Sequence, residues 1–203
     1  MNQFFLKYLF DKILILPLVV LFSPVMVLIC IGIWLEGLWD KETRGPFLYK
    51  ETRMSQGKPF AMYKFRTLKL KAINAMTEGD SASFLQFDPE NCTRMGRLII
   101  KSYFDELPQL FCILIGNMTL VGPRPRIKSV YEKDIKNGNT ALAHLRAGLT
   151  GVHQLSKGEK GYSVKLSEEY YKKVQTLGMF GLLMYDFSIL YKSFFKMIKA
   201  EGL

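Results

Sequence analysis

The longest uninterrupted apolar stretch of the chain, Ile13 to Leu35 (ILILPLVVLFSPVMVLICIGIWL), carries no charged side chain. At about 1.5 Å per residue a helix of that length reaches about 35 Å, against a hydrocarbon thickness of about 30 Å. The pattern predicts a membrane helix close to the N-terminus. A cleaved leader has a shorter apolar region ending in small residues, whereas this run ends in Trp34, Leu35, Glu36 and Trp39, so it is read as retained. Ser23 and Pro24 stand at its midpoint. The proline ring removes a backbone donor and crowds the carbonyl four residues back, so a kink is expected, with the Ser23 hydroxyl able to bond the freed carbonyl. Lys7 and Lys12 precede the run and Lys41 and Arg44 follow it, so the positive-inside signal picks no side. A re-entrant helix that leaves by the face it entered and a kinked transmembrane anchor fit this pattern about equally.

The residues before the run, Met1 to Phe10, are aromatic and basic, as expected of a segment lying at a membrane interface. After it, Phe47-Leu48-Tyr49 and Phe60 to Thr67 flank a turn at Gln56-Gly57-Lys58-Pro59, which predicts a β-hairpin. In its second strand Phe60, Met62 and Lys64 share one side of the alternation. Lys69 to Met76 is predicted helical, Thr77 to Asn91 a loop, Thr93 to Gly116 a helix pair, and Asn117 to Arg126 a tight loop ruled by prolines. Ile127 to Arg146 reads as helix broken at Asn137-Gly138-Asn139, and Ala147 to Gly161 receives no regular element. Ser167 is the expected N-cap of a helix through Gln175. From Gly178 the chain is apolar on most faces, with Asp186, Lys192, Lys196 and Lys199 interspersed. It reads either as a core-covering amphipathic helix or as a second interfacial helix.

Two compositional facts narrow the chemistry. A net charge of +10, from 28 Lys and Arg against 18 Asp and Glu, points to an anionic partner, and the membrane helix favours phospholipid or phosphorylated substrate over nucleic acid. Cys30, Cys92 and Cys112 have no metal-ligand spacing and are read as reduced thiols. His144 and His153 lack nearby co-ligands, so no histidine metal site is expected.

The charges between Arg94 and Arg126 are arranged. Pro108 fits a helix only near its start, so the helix carrying Leu110 to Leu114 should begin near Phe104 or Asp105, with Asp105 and Glu106 in its first turn. A helix N-terminus keeps carboxylates ionised and attracts phosphate oxygens. An ionised aspartate beside a phosphate is a potential nucleophile, and adjacent carboxylates can share a hard cation. Arg94, Arg97 and Lys101 upstream, with Arg124 and Arg126 downstream, supply phosphate donors.

As a string the chain resembles the bacterial sugar transferases, the monotopic phosphoglycosyl transferases. The likeness rests on Ser23-Pro24 within the apolar run, GKPFAMYKFRTL (Gly57 to Leu68), RMGRLIIKSYFDELPQL (Arg94 to Leu110), GNMTLVGPRP (Gly116 to Pro125), RAGLTG (Arg146 to Gly151) and Tyr170-Tyr171. The chain departs from the family at Ala147, usually Pro, at Glu168, usually Asp, at Lys50-Glu51-Thr52, where the family has a glutamine, and in VHQLSKGEKG.

The resemblance implies an α+β fold, mainly helical with a small antiparallel β-hairpin, in a monotopic membrane protein whose re-entrant helix bends at Ser23-Pro24. It implies a division into a membrane helix with interfacial flanks (1–40), a cytoplasmic catalytic domain (41–177) and a C-terminal amphipathic interfacial helix (178–203). It implies a ping-pong reaction. Asp105 attacks the sugar-bearing phosphorus of a UDP-sugar, UMP leaves, and undecaprenyl phosphate takes the sugar-1-phosphate from the aspartyl intermediate. That step would initiate a bacterial glycan at the cytoplasmic face of the inner membrane. Asp105 and Glu106 would hold Mg²⁺, or Mn²⁺ in its place. Arg124, Arg97, Lys101, Arg66 and Lys64 would bind substrate phosphate. Inner-membrane phospholipid is the other expected partner, nucleic acid is not, and a homo-oligomer stays open. The rival readings are a membrane phosphohydrolase, in which water resolves the intermediate, and a non-catalytic interfacial protein that binds lipid or a partner.

Overall fold

The computed structural model describes residues 3–76, 82–155 and 164–198. In chain order the elements are α1 (Gln3–Trp39), β1 (Leu48–Ser55), β2 (Lys58–Phe65), α2 (Leu70–Asn74), α3 (Ala82–Leu85), α4 (Arg94–Lys101), α5 (Gln109–Ile115), β3 (Met118–Val121), α6 (Lys128–Lys136), α7 (Ala141–His144), β4 (Ala147–Thr150), α8 (Val152–Leu155), α9 (Val164–Thr176) and α10 (Met179–Ile198). The fold is mostly helical with a small antiparallel hairpin, as expected. The residues fall in two compact units: Met1–Ile15, Thr52–Phe60 and Ile113–Leu203 in one, Leu16–Glu51 and Ala61–Cys112 in the other.

Helix α1 absorbs both the apolar run and the segment before it. Its 37 residues reach about 55 Å, and it is long and apolar enough to cross a membrane. Its first turns are not merely interfacial: Lys7, Tyr8, Asp11 and Ile15 are buried. Pro24 leaves the Val20 carbonyl without its amide partner, and the Ser23 hydroxyl donates to that carbonyl at 2.7 Å. Further along, Val19, Phe22, Met26, Ile29 and Ile33 recur at helical spacing and pack on Phe65, Met95, Ile99, Phe104 and Leu107. The opposite face leaves Val20, Leu21, Val27, Leu28, Ile31 and Trp34 exposed.

In the second unit the end of α1 also holds α4. Both Glu36 carboxylate oxygens accept from α4's first amides, Arg94 N at 2.6 Å and Met95 N at 2.9 Å. The Thr93 hydroxyl accepts from Gly96 N at 2.8 Å and the Thr93 carbonyl from Arg97 N. With Thr93 N donating to the Thr67 carbonyl at 2.9 Å, the four orphan donors of that helix start, the amides of Thr93, Arg94, Met95 and Gly96, are satisfied. Gly96 passes so close to the chain at Thr67 that an added Cβ would lie 2.2 Å from the Thr67 carbonyl oxygen. Gly96→Ala is expected to cost about 3 kcal/mol by forcing two backbones apart, read as a fall in the thermal midpoint in detergent. An unchanged midpoint would refute the close approach.

The hairpin turns on Gln56 (φ 49°) and Gly57 (φ 75°), the two positive angles a two-residue hairpin loop requires. Lys58 and Pro59, expected in the turn, begin β2 instead. Residues 118–121 and 147–150, read as loop and as irregular, are strands that pair in parallel, Met118 opposite Ala147 and Val121 opposite Thr150. Strand β3 is buried at every position, so it shows no alternation to read. The broken helix at Asn137-Gly138-Asn139 is as expected, α6 ending and Gly138 at φ +89°. Ser167 is not an N-cap. It lies inside α9, buried, 2.6 Å from His153 Nε2. The helix predicted for 69–76 appears as α2, while part of the 77–91 loop and of the VHQLSKGEKG stretch lies outside the described residues.

The first unit also buries a charged network. Lys7 Nζ sits 2.5 Å from Asp186 and 3.9 Å from Asp11. Asp11 accepts from Thr119 Oγ1 and from Leu120 N, and the Tyr170 hydroxyl donates to Asp186 at 2.7 Å, with the Val121 carbonyl 3.1 Å from the same oxygen. Helix α10 buries Leu182, Asp186 and Ile189, while Phe180, Met184, Phe187, Tyr191, Phe194 and Phe195 are exposed at helical spacing. It therefore covers a core with one face and presents an apolar stripe with another; Lys199 lies outside the described residues.

Candidate active site

Strand β2 and the turn before α5 build the site within the second unit. Because side chains alternate along a strand, Lys64 points to the side that carries the buried Phe60 and Met62. A lysine at an inward position is costly to bury unless acids meet it. Here they do: Lys64 Nζ lies 2.6 Å from Glu106 Oε1 and 3.8 Å from Asp105 Oδ2. The lysine's own burial opposes its charge, but Glu106, Asp105 and Glu51 outweigh it and raise its pKa.

The acids are not in the first turn of α5 as expected. Phe104–Glu106 is a 3-10 turn, and α5 starts after Pro108, at Gln109. Tyr103 enters the turn in the left-handed region, at φ 58°, where a bulky side chain is rare and strained. That kink ends α4 and swings Asp105 inward: Asp105 is 4 % exposed, while Glu106 is half-buried. Burial pushes the Asp105 carboxyl up to about 7; Lys64 pulls it down, the neighbouring Glu106 pushes it up, and a hydrogen bond to its own backbone pulls it down. The group sits between protonated and ionised at neutral pH.

The other expected phosphate ligands differ in placement. Arg66 is spent on the fold: Nε donates to the Pro46 carbonyl at 2.8 Å, Nη1 to Leu68 at 2.9 Å and Nη2 to Thr43 at 2.5 Å. Its side chain is fully buried, and these three hydrogen bonds brace the chain around β1. Arg97 and Lys101, together with Arg94, are exposed at helical spacing on α4, the helix that leads into the acidic turn. Arg124 belongs to the first unit, exposed between Pro123 and Pro125 after β3. Its loop is tied down by Met54 N to the Arg126 carbonyl at 2.8 Å. A cavity beside Lys64 is lined by Tyr49, Glu51, Thr67 and Gln86. Glu51, buried there, was read from sequence only as a departure from the family; its signal was the alternation that puts an acid on the inner side of β1.

The donor set fits a hard divalent cation of the Mg²⁺ kind. Asp105 and Glu106 converge on one ammonium, so both can face a single positive charge. Among the described residues no cluster of three or more His, Cys, Asp or Glu could hold a metal by itself. A pair of carboxylates suits Mg²⁺, which keeps waters and shares substrate phosphates.

The family model for bacterial sugar transferases matches residues 2–200. Among curated relatives, the undecaprenyl-phosphate galactose phosphotransferase of Salmonella typhimurium is 31% identical over 98% of this chain and 41% of its own length. The UDP-glucose:undecaprenyl-phosphate glucose-1-phosphate transferase of Caulobacter vibrioides is 33% identical over 76% of this chain and 55% of its own. The UDP-N-acetylgalactosamine-undecaprenyl-phosphate N-acetylgalactosaminephosphotransferase of Aeromonas hydrophila is 31% identical over 74% and 35%. The chain thus spans about a third to a little over half of the length of these relatives. With the family model matched along almost all of it, the chain belongs to the bacterial sugar transferase family.

Proposed function

We propose that the protein transfers a sugar-1-phosphate from a UDP-sugar to undecaprenyl phosphate, the initiating step of a bacterial glycan, at the cytoplasmic face of the inner membrane. The observation that carries this reading is the buried Asp105 beside Glu106, both facing Lys64. An Asp105 oxygen forms a bond to the sugar-bearing phosphorus as the bond to UMP breaks, and an oxygen of the lipid phosphate then displaces Asp105. A divalent cation shared by Asp105 and Glu106, when bound, offsets charge on the donor's diphosphate. Arg97, Lys101 and Arg124 are cations that can bind phosphate.

The test is UMP release from a panel of UDP-sugars by the purified protein with Mg²⁺ and undecaprenyl phosphate. The named relatives carry galactose, glucose and N-acetylgalactosamine at nearly equal identity, so the panel holds all three. Release that depends on the lipid, with sugar recovered on the lipid, is expected. Free sugar phosphate in its place would mark a phosphohydrolase, and no release with any donor would favour a non-catalytic binding role.

The membrane pose belongs to the same proposal: α1 enters the bilayer and returns by the same face. Two observations support it. Ser23 satisfies the carbonyl freed by Pro24, which makes a mid-membrane bend tolerable. Residues 7–15 of α1 pack among segments after residue 112, and residues 19–33 against residues 65–107, so neither half is a bare span. Asn2→Cys and Asp40→Cys, each as the single cysteine, are expected to react with an impermeant reagent from the cytoplasmic side only. Labelling from opposite sides would mean a transmembrane helix. In the double variant Ser23→Ala, Pro24→Leu the two labels should part.

A further inference from the structure

Resting on that functional reading, we infer that Lys64 is the built-in competitor of the divalent cation: its ammonium lies against Asp105 and Glu106, leaves when the cation binds, and is then available to the donor's diphosphate.

The argument is one of space and charge. A hard cation binds carboxylate oxygens at about 2.0–2.2 Å. Lys64 Nζ is 2.6 Å from one candidate ligand oxygen and 3.8 Å from the other, so it stands in the volume such an ion needs. Two cations at that separation repel strongly in a half-buried site. The ammonium is the weaker occupant. It bonds closely to Glu106, stays at ion-pair distance from Asp105, and satisfies neither carboxylate as a doubly charged ion would. It has also been brought there at a cost, on the inward side of β2 among Phe60 and Met62, where an apolar residue would be the ordinary choice. A long flexible stem lets it move without backbone change. On displacement it remains beside the acids as a mobile positive charge, complementary to a diphosphate. Metal and donor are thereby coupled. Each should bind better with the other present, because the ion frees the lysine that the phosphates then engage.

Removing Lys64 should therefore affect the two ligands oppositely. In detergent-solubilised Lys64→Met, Mn²⁺ followed by electron paramagnetic resonance should bind at least tenfold more tightly than in the wild type. Pyrophosphate, as a diphosphate probe, should bind more weakly and lose its enhancement by Mn²⁺. Glu106→Gln should bind Mn²⁺ more weakly. A purely bracing lysine predicts unchanged or weaker Mn²⁺ binding in Lys64→Met, and that result overturns the inference. The wild type offers a check that needs no variant: acetylation of Lys64 by acetic anhydride, read by peptide mass spectrometry, should accelerate when Mg²⁺ is added. Unchanged or slower acetylation overturns the displacement. If the wild type binds no Mn²⁺, the metal reading and this inference fall together; if it binds and Lys64→Met binds no better, only the inference falls.

Discussion

On the proposed function, in which Asp105 is the nucleophile, Asp105→Asn is expected to abolish sugar-phosphate transfer while making the protein more stable at pH 8. Loss of a covalent nucleophile lowers turnover by about 10⁴-fold or more, and asparagine cannot form the acyl phosphate. The stability effect has the opposite sign because this carboxyl is held against its preference. Its pKa is about 3.9 in an unfolded chain and about 7 in the fold, where burial dominates. Between those values the folded state binds a proton that the unfolded state does not, so stability declines as pH rises from about 4 to about 7. Above that range the penalty is fully present, at most about 4 kcal/mol. Asparagine carries none of it. With chelator present, the variant and wild type should unfold at similar temperatures near pH 4, and the variant should gain several degrees by pH 8. A variant less stable than wild type at pH 8 would mean that the aspartate is a net stabiliser, contrary to the site's electrostatics. The trade of stability for an ionisable buried group is usual for catalytic positions.

Lys7→Met is expected to be among the most damaging single changes outside the acidic turn. Lys7 is buried between Asp186 and Asp11, and its loss strands two acids in the same interior. Breaking one side of a buried pair costs about 3–5 kcal/mol. Burial raises the Asp186 pKa even with Lys7 and Tyr170 holding it down, so the cluster is already under electrostatic load. Asp186→Asn should cost less, because Lys7 keeps Asp11 at 3.9 Å and Tyr170 keeps a partner. The double variant should lose less than the sum of the two single losses. The measurement is the thermal midpoint in one detergent at pH 7. Additive losses, or a larger loss for Asp186→Asn, would mean that Lys7 and Asp186 do not act as a pair.

These two cases show how differently the residues could be read in advance. The Asp105-Glu106 pair stood out because Pro108 marks a chain reversal into helix and because the surrounding string is specific. Lys64 was legible as an irregularity in strand alternation. Lys7, by contrast, looked like a flanking charge for a membrane helix, and Glu36 like the first polar residue beyond it. One is the buried partner of a residue 179 positions away, and the other caps a helix 58 positions on. Arg66 stands in a basic stretch that suggested phosphate, yet its three nitrogens are consumed by carbonyls of Thr43, Pro46 and Leu68.

Local information was enough for the long apolar helix, the hairpin with its Gln56-Gly57 turn, the break at Asn137-Gly138 and the apolar character of the last helix. Those features follow from hydrophobic period and from backbone angles that only certain residues accept. Strands β3 and β4 were missed because each is four residues long and, among the described residues, pairs only with the other, across 25 intervening residues. A short, buried strand has no pattern of its own. The partners of the charges were likewise beyond the sequence, since whether an arginine or lysine meets a carbonyl, a carboxylate or solvent depends on which distant segment folds against it. For this chain the amino-acid string by itself determined the membrane helix, the hairpin and the acidic pair. Only the tertiary structure decided that the acids share a half-buried lysine, because long-range packing sets which charges are brought face to face out of water.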